Sequence, residues 1–389
     1  MTATPPPSGE IIVHVFGRTD VGRTREHNED CFIVADLTTM NATLQPEVRS
    51  HAPGARGTLF MVADGMGGAA AGEIASAMAT EVVLSELDRR WRQALDSSAE
   101  TFARAIKSAA EAANARIHRY AAEHPENRGM GTTATIAGVL ADTLYLAQVG
   151  DSRAYLIRGG VARQITKDQS LMQKLVEAGE LTAEEAEVSE RRNIILQALG
   201  PEPMVKVDLT TQQVRRGDTL VLCSDGMSGQ MRAPDIARIV NEDPDLVATC
   251  RKLIDLANEN GGPDNITVVA ARFEGTGLLP PSDGEHPAYQ IYVGEHGARA
   301  TLPMHASSIA DVKPKAARAA SPDAITDEVP AVVRQLVAAG AEAGRPTAPT
   351  GDQARAGETR IPVSVLRMIF GSLAALLALY LVLVAIRRS

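Results

Sequence analysis

Five aspartates stand beside turn-forming residues: Asp30 after Asn28-Glu29, Asp64 before Gly65-Met66-Gly67-Gly68, Asp151 after Gly150, Asp225 before Gly226, and Asp264 between Pro263 and Asn265. A single Asp-Gly usually marks a turn. Five in order, each at the end of a β-rich run, point instead to carboxylates gathered in one cleft. Such a cluster repels itself unless cations neutralise it. Oxygen ligands among small residues suit Mg²⁺ or Mn²⁺, which keep bound waters. Two such ions about 3.5–4 Å apart can share a water, lower its pKa and yield hydroxide for in-line attack on phosphorus. A phosphate also needs a cationic partner. Arg25, five residues before Asp30, supplies a guanidinium.

The elements that must place these residues follow from periodicity. Ile11–Phe16, Cys31–Val34 and Leu59–Ala63 read as strands, Ala69–Trp91 and Thr101–Ala122 as helices. Four short runs follow, Thr133–Leu140, Thr143–Val149, Ala154–Ile157 and Val161–Ile165, divided by turn residues. Helices are expected near Gln169–Ala178 and Ala183–Glu187, strands at Val205–Leu209 and Thr219–Cys223, helices at Ala233–Asn241 and Asp245–Asn260, and a last strand at Ile266–Phe273. If the second and third strands form a hairpin, Asp30 and Asp64 become neighbours, with the connection Leu37–Arg56 at the opposite edge. Strands in succession imply antiparallel pairing, and the long helices imply outer layers.

The chain has 389 residues, 44% of them hydrophobic, and a net charge of −9. That balance argues against a nucleic-acid partner, which would require a basic face. Cys31, Cys223 and Cys250 form neither a disulfide framework nor a thiolate zinc pattern. Residues 1–10 are polar and proline-rich, lack the apolar stretch of a signal peptide, and are expected to be disordered. The catalytic domain is expected at 11–274. Residues 275–361, rich in Pro, Ala and Gly, read as a linker with two islands, Tyr289–Val293 and Val329–Ala339. Met368–Ile386 carries no charged side chain and would span roughly 28 Å as a helix. Residues 362–389 therefore read as a single transmembrane anchor with a short tail. Reduced cysteines and the missing signal peptide favour a cytoplasmic catalytic domain at the cell membrane.

The motifs together resemble the metal-dependent protein phosphatase family of the phosphatase 2C type, especially its bacterial membrane-anchored members. They run Asp20-Val-Gly-Arg-Thr-Arg25-Glu-His-Asn28-Glu29-Asp30, Ala63-Asp64-Gly65-Met66-Gly67-Gly68, Gly131-Thr132-Thr133, Val149-Gly150-Asp151-Ser152-Arg153, Ala198-Leu199-Gly200, Cys223-Ser224-Asp225-Gly226 and Gly262-Pro263-Asp264-Asn265. The resemblance covers roughly 11–274. It implies an α+β fold, a four-layer α-β-β-α sandwich of two antiparallel sheets flanked by helices. It implies that Asp64 bridges two metals, that the Gly65 carbonyl joins one, and that Asp225 and Asp264 hold the other. Asp30 and Glu29 match positions that bind metal-held water, and Asp151 with Asp225 matches a weaker third site. Arg25 matches the phosphate-binding arginine. The implied partners are phosphorylated proteins and bacterial Ser/Thr kinases.

Two positions depart from the family pattern. Met66 stands where eukaryotic relatives carry a histidine, leaving the proton for the leaving group to a water. Gln169, in Thr166-Lys167-Asp168-Gln169-Ser170, replaces a histidine of many relatives and receives no role. Leu171–Asn193 aligns with a mobile flap beside the site. The rival from another class is a membrane-tethered pseudophosphatase that binds without turnover. It would normally lack a metal ligand, and here every ligand position is filled.

Overall fold

A computed structural model describes residues 9–42, 50–67 and 71–294. Twelve strands and seven α-helices occur among them. The strands are β1 (Ile12–Asp20), β2 (Asp30–Asp36), β3 (Ser50–His51), β4 (Thr58–Met66), β5 (Gly131–Thr132), β6 (Ala134–Leu140), β7 (Thr143–Val149), β8 (Arg153–Arg158), β9 (Val161–Gln164), β10 (Asp208–Gln213), β11 (Thr219–Cys223) and β12 (Ile266–Glu274). The helices are α1 (Ala71–Leu87), α2 (Ala99–Glu123), α3 (Leu171–Glu177), α4 (Ala183–Glu187), α5 (Asp225–Ser228), α6 (Ala233–Glu242) and α7 (Leu246–Glu259).

The strands form two antiparallel sheets, ordered β3-β1-β12-β11-β8-β9 and β10-β7-β6-β4-β2, with β5 added to the end of β4. Strand alternation explains how they pack. In β4, Leu59, Met61 and Ala63 face α1 and α2, while Phe60 and Val62 face the other sheet. In β12, Val269, Ala271 and Phe273 face inward, and Val268 and Ala270 pack beneath α6 and α7. The result is the expected α-β-β-α sandwich. Each fully buried large apolar side chain contributes about 1.5–3 kcal/mol, so a one-residue slip of β4 or β12 would be heavily penalised.

That parity carries to the strand ends. Counting on from Phe60 and Val62 brings Asp64 to the inter-sheet side. The same count brings Asp30 inward from Val34, Ser224 from Leu220 and Leu222, and Thr267 from Val269. The layer between the sheets is apolar through its middle and polar at its ends: the acids gather at this one, and the same inward rows run back to the buried Arg158–Asp218 ion pair at the other.

Three differences from the sequence reading have physical causes. The helix expected to reach Trp91 ends at Leu87 and continues as a wider π turn, Asp88–Arg92; buried Trp91 there donates its indole N–H to the Arg56 carbonyl at 2.8 Å. The strand expected at Val205–Leu209 lies at Asp208–Gln213, an edge strand whose polar sequence hides it. Residues 275–294, expected to begin the linker, stay on the sandwich. Leu278 is 1% exposed in the inter-sheet layer, Glu285 pairs with Arg158 and Arg215, and Ile291 bridges Thr210. The remaining linker and the expected anchor at 362–389 lie outside the described residues, as do residues 1–8 and Gly68. Among the described residues no helix is long and apolar enough to cross a membrane.

Candidate metal and phosphate site

The β2–β4 hairpin places Asp30 directly opposite Asp64, as the pattern of runs requires. The Gly131-Thr132-Thr133 motif then fixes Asp64 by its backbone. Thr133 N–H and Thr132 Oγ1 both donate to the Asp64 carbonyl at 2.9 Å, and Asp64 N–H donates to Thr133 Oγ1 at 3.0 Å. Leu199, in its own motif, exchanges two backbone hydrogen bonds with Thr132. At Gly65 any side chain is excluded, since a Cβ would sit 2.3 Å from the Gly72 carbonyl oxygen and 2.4 Å from that of Glu29. Asp225 opens α5 at the end of β11, and Asp264 precedes β12.

Burial dominates the electrostatics of these acids. Asp64 is pushed well above the usual carboxylate range by burial and then by Asp30, Asp225, Asp151 and Asp264. Asp30 is pushed up to about 7 by burial and by Asp225 and Asp264, although two hydroxyls oppose the shift. Asp151 rises to about 8 through burial, then Asp225 and Asp168, against the pull of Arg153. Asp225 is raised by burial and Asp264, while a hydrogen bond with Asp64 and the charge of Arg153 lower it. Glu29, at the rim, is raised chiefly by burial, with Arg25 opposing.

The five aspartates are thus brought to one end of the sandwich, and Glu29 and Arg25 to its margin. Arg25, expected at a phosphate, has a carboxylate for its neighbour. Its Nη2 lies 2.8 Å from Asp264 Oδ2, and its side chain is 50% exposed. It lines a cleft of about 880 Å³ together with Asp151, Asp225, Asp264 and residues of the 171–193 segment.

Several site residues received no role from the sequence, although Thr133, Ser152, Ser224 and Asn265 stand in its motifs. Ser224 Oγ and Thr267 Oγ1 both donate to Asp30 Oδ2, at 2.8 and 2.7 Å. Asn265 accepts from Glu29 N–H at 2.8 Å and donates to the Val21 and His27 carbonyls, tying the Arg25 loop to β12. Thr133 and Ser152 share a 2.8 Å hydroxyl contact beneath Asp64. The available signal was strand parity: each of the hydroxyls continues an inward-facing apolar row.

The donor set fits a divalent metal centre. Asp30 Oδ1, Asp151 Oδ1 and Asp225 Oδ1 are buried with no hydrogen-bond partner, a costly arrangement for oxygens that a cation would satisfy. As the side chains stand, no three His, Cys, Asp or Glu residues among those described close on a single point.

Known proteins with this architecture agree. A family model described as protein phosphatase 2C matches residues 47–267. The serine/threonine phosphatase stp of Listeria innocua is 36% identical over 258 residues, 66% of this chain and 94% of that protein. PstP of Mycobacterium tuberculosis, a serine/threonine protein phosphatase, is 36% identical over 262 residues, 67% of this chain and 45% of PstP. Among solved structures, the S. agalactiae serine/threonine phosphatase superposes with a TM-score of 0.59 at 32% identity, over 67% of this chain and 99% of that one. The PstP catalytic domain in complex with 2 manganese ions gives 0.55 at 34% identity, over 68% and 99%. With its motifs, sheets and acid cluster all in place, this chain belongs to the protein phosphatase 2C family.

Proposed function

We propose that this phosphatase removes phosphate from phosphoserine and phosphothreonine in proteins, using Mn²⁺ or Mg²⁺. Two ions and a weaker third would be held by Asp64, the Gly65 carbonyl, Asp225 and Asp264, by Glu29 and Asp30 through water, and by Asp151. The observation that supports this most strongly is the set of buried, unpartnered carboxylate oxygens on Asp30, Asp151 and Asp225 beside an arginine-lined cleft. When bound, the ions supply Lewis-acid charge and an activated water. The chain's own groups do the rest. Ser224 and Thr267 favour the ionised form of Asp30 with two hydroxyl donors, against the burial that raises its pKa. Thr132 and Thr133 fix where Asp64 can point. The Arg25 guanidinium, held on Asp264 through one nitrogen, keeps further N–H groups for a phosphate oxygen. Met66 offers no proton, so the leaving oxygen takes one from water in the cleft. Full-length protein should hydrolyse a phosphothreonine peptide with Mn²⁺, stop on chelation and recover when Mn²⁺ is restored. Hydrolysis untouched by chelation, or of a small phosphate ester alone, would refute the reading.

We further infer that the enzyme is held at the cell membrane, catalytic domain in the cytoplasm, to act on the products of Ser/Thr kinases. The support is the uncharged run Met368–Ile386, bracketed by Arg367 and Arg387-Arg388. Full-length protein should sediment with membranes, resist high salt and be released by detergent. Recovery in the soluble fraction would remove the tether.

A further inference from the structure

Gln169 stands where many relatives have a histidine, and its surroundings give it a task. It is 8% exposed. Its side-chain oxygen accepts from Gly150 N–H at 3.0 Å, and its own backbone N–H donates to the Gly150 carbonyl at 2.9 Å. Its Nε2 donates to Asp208 Oδ2 at 2.9 Å and lies 3.2 Å from the Lys206 carbonyl. The preceding residue, Asp168, accepts from Arg153 Nε at 3.0 Å and Nη2 at 2.7 Å. Residues 168 and 169 therefore grip the β7–β8 turn on both sides of Asp151.

Gln169 also belongs to a second structure. Its carbonyl accepts from Leu196 N–H at 2.8 Å, Ser170 bridges Ile195, and Leu171 N–H donates to the Ile194 carbonyl at 2.9 Å. These contacts close the neck of the excursion that carries α3 and α4 beside the cleft. A side-chain amide suits the place because it accepts from Gly150 and donates to Asp208 at once. Glutamate would set its charge against Asp208, and methionine would leave both partners unpaired.

We propose that Gln169 is a positioning residue that couples the neck of the 171–194 excursion to the turn bearing Asp151, so that the two loosen or tighten together. Its bearing on metal rests on the reading of Asp151 as a ligand of the weakest ion. The test compares full-length wild type with Gln169→Met and Gln169→His by hydrogen exchange and by Mn²⁺ titration of the metal-free protein. In Gln169→Met, residues 150–153 and 171–194 should exchange faster together. The rise at Gly150 should be about tenfold, the ratio for one net hydrogen bond, and the weakest Mn²⁺ site should loosen. Gln169→His, which can accept and donate, should restore most of both. Asp208→Asn, which alters only the acceptor of Gln169 Nε2, should move the same peptides by a smaller amount and serves if Gln169→Met does not fold. Faster exchange in 171–194 with 150–153 unchanged would overturn the coupling, as would histidine performing no better than methionine. If Asp151→Asn leaves Mn²⁺ binding intact, the ligand reading of Asp151 fails, and the exchange data alone decide the coupling.

Discussion

Leu278 lies beyond the point where the sequence texture turns to linker, yet its side chain is 1% exposed between the two sheets. Leu278→Ala separates the alternatives by magnitude. In a solvated linker the change would shift stability by no more than about 0.5 kcal/mol. In a packed layer, Leu→Ala costs about 2–5 kcal/mol, combining lost transfer energy and the cavity left behind. Against a total near 5–15 kcal/mol that is a large fraction, and it corresponds to a fall in Tm of roughly 5–15 °C. The same segment supplies Glu285, whose Oε1 lies 2.8 Å from Nη1 of Arg158, a side chain 1% exposed. It also supplies Tyr292, edge-on to Tyr145 at 5.7 Å between ring centroids. A chain ending after Gly275 should therefore melt well below one ending after Gly294. Urea and thermal denaturation of the three proteins, in metal-free buffer, give the answer. Equal stability of the two truncated chains, together with a loss under 0.5 kcal/mol for Leu278→Ala, would refute the argument that the sandwich needs this segment.

Asp64→Asn should abolish phosphopeptide hydrolysis while leaving the melting temperature close to or above wild type in metal-free buffer, since it replaces a buried carboxyl, whose raised pKa costs stability above its unfolded-state value, by a neutral amide; near-normal turnover would contradict the proposed centre. Arg25→Ala should lower kcat/KM by about 10- to 150-fold, from a charge-assisted contact of about 1.5–3 kcal/mol. Unchanged kinetics with intact metal content would exclude Arg25 from phosphate binding. Thr267→Val removes one of two donors to Asp30 and should weaken Mn²⁺ binding by about tenfold or more in titration of the metal-free protein; unaltered binding would show that Ser224 suffices. Burial pushes the Glu285 carboxyl up, but the Ser282 N–H and the guanidinium groups of Arg215 and Arg158 outweigh it, holding the carboxyl below its usual value. Its stabilising contribution is therefore present above about pH 4 and disappears as pH falls through the lowered value. The stability gap between wild type and Glu285→Gln should close in acid melts, and a gap constant with pH would argue against the ion pairs.

The acid cluster was legible because each aspartate sits at the end of a recognisable run, and the opposition of Asp30 and Asp64 follows from hairpin geometry alone. The hydroxyls beneath were equally encoded, but in strand parity: Ser224 and Thr267 look like ordinary strand-end polar residues until the inward rows are counted. Arg25 on Asp264 was not legible, because the two are far apart in sequence and no local pattern links a loop arginine to a particular carboxylate. The domain's end was misplaced for a related reason. Residues 275–294 are held by scattered side chains, Leu278, Glu285 and Tyr292, and by a few backbone hydrogen bonds, among them those around Ile291 to β10. Period-two alternation marked only its last stretch, Tyr289–Val293, where Ile291 bridges Thr210; the irregular part before it, with partners on β8 and between the sheets, carries no period to read.

The pairing of β1 with β12, nine residues each from Ile12↔Glu274 to Asp20↔Ile266, joins the two ends of the sandwich in its first sheet. During synthesis β1 leaves the ribosome long before its central partner exists. β11 waits likewise for β12 on its other side. Local hairpins such as β2–β4 and β6–β7 can form early, but the first sheet closes only when the last strand arrives, and with it Asp264, Asn265 and Thr267. Contacts of such long sequence separation slow folding. A chain that stops short of β12 therefore holds Asp30 and Asp64 without Asp264, Asn265 and Thr267, so a nascent product lacks the means to bind metal or hydrolyse phosphate until that strand has emerged.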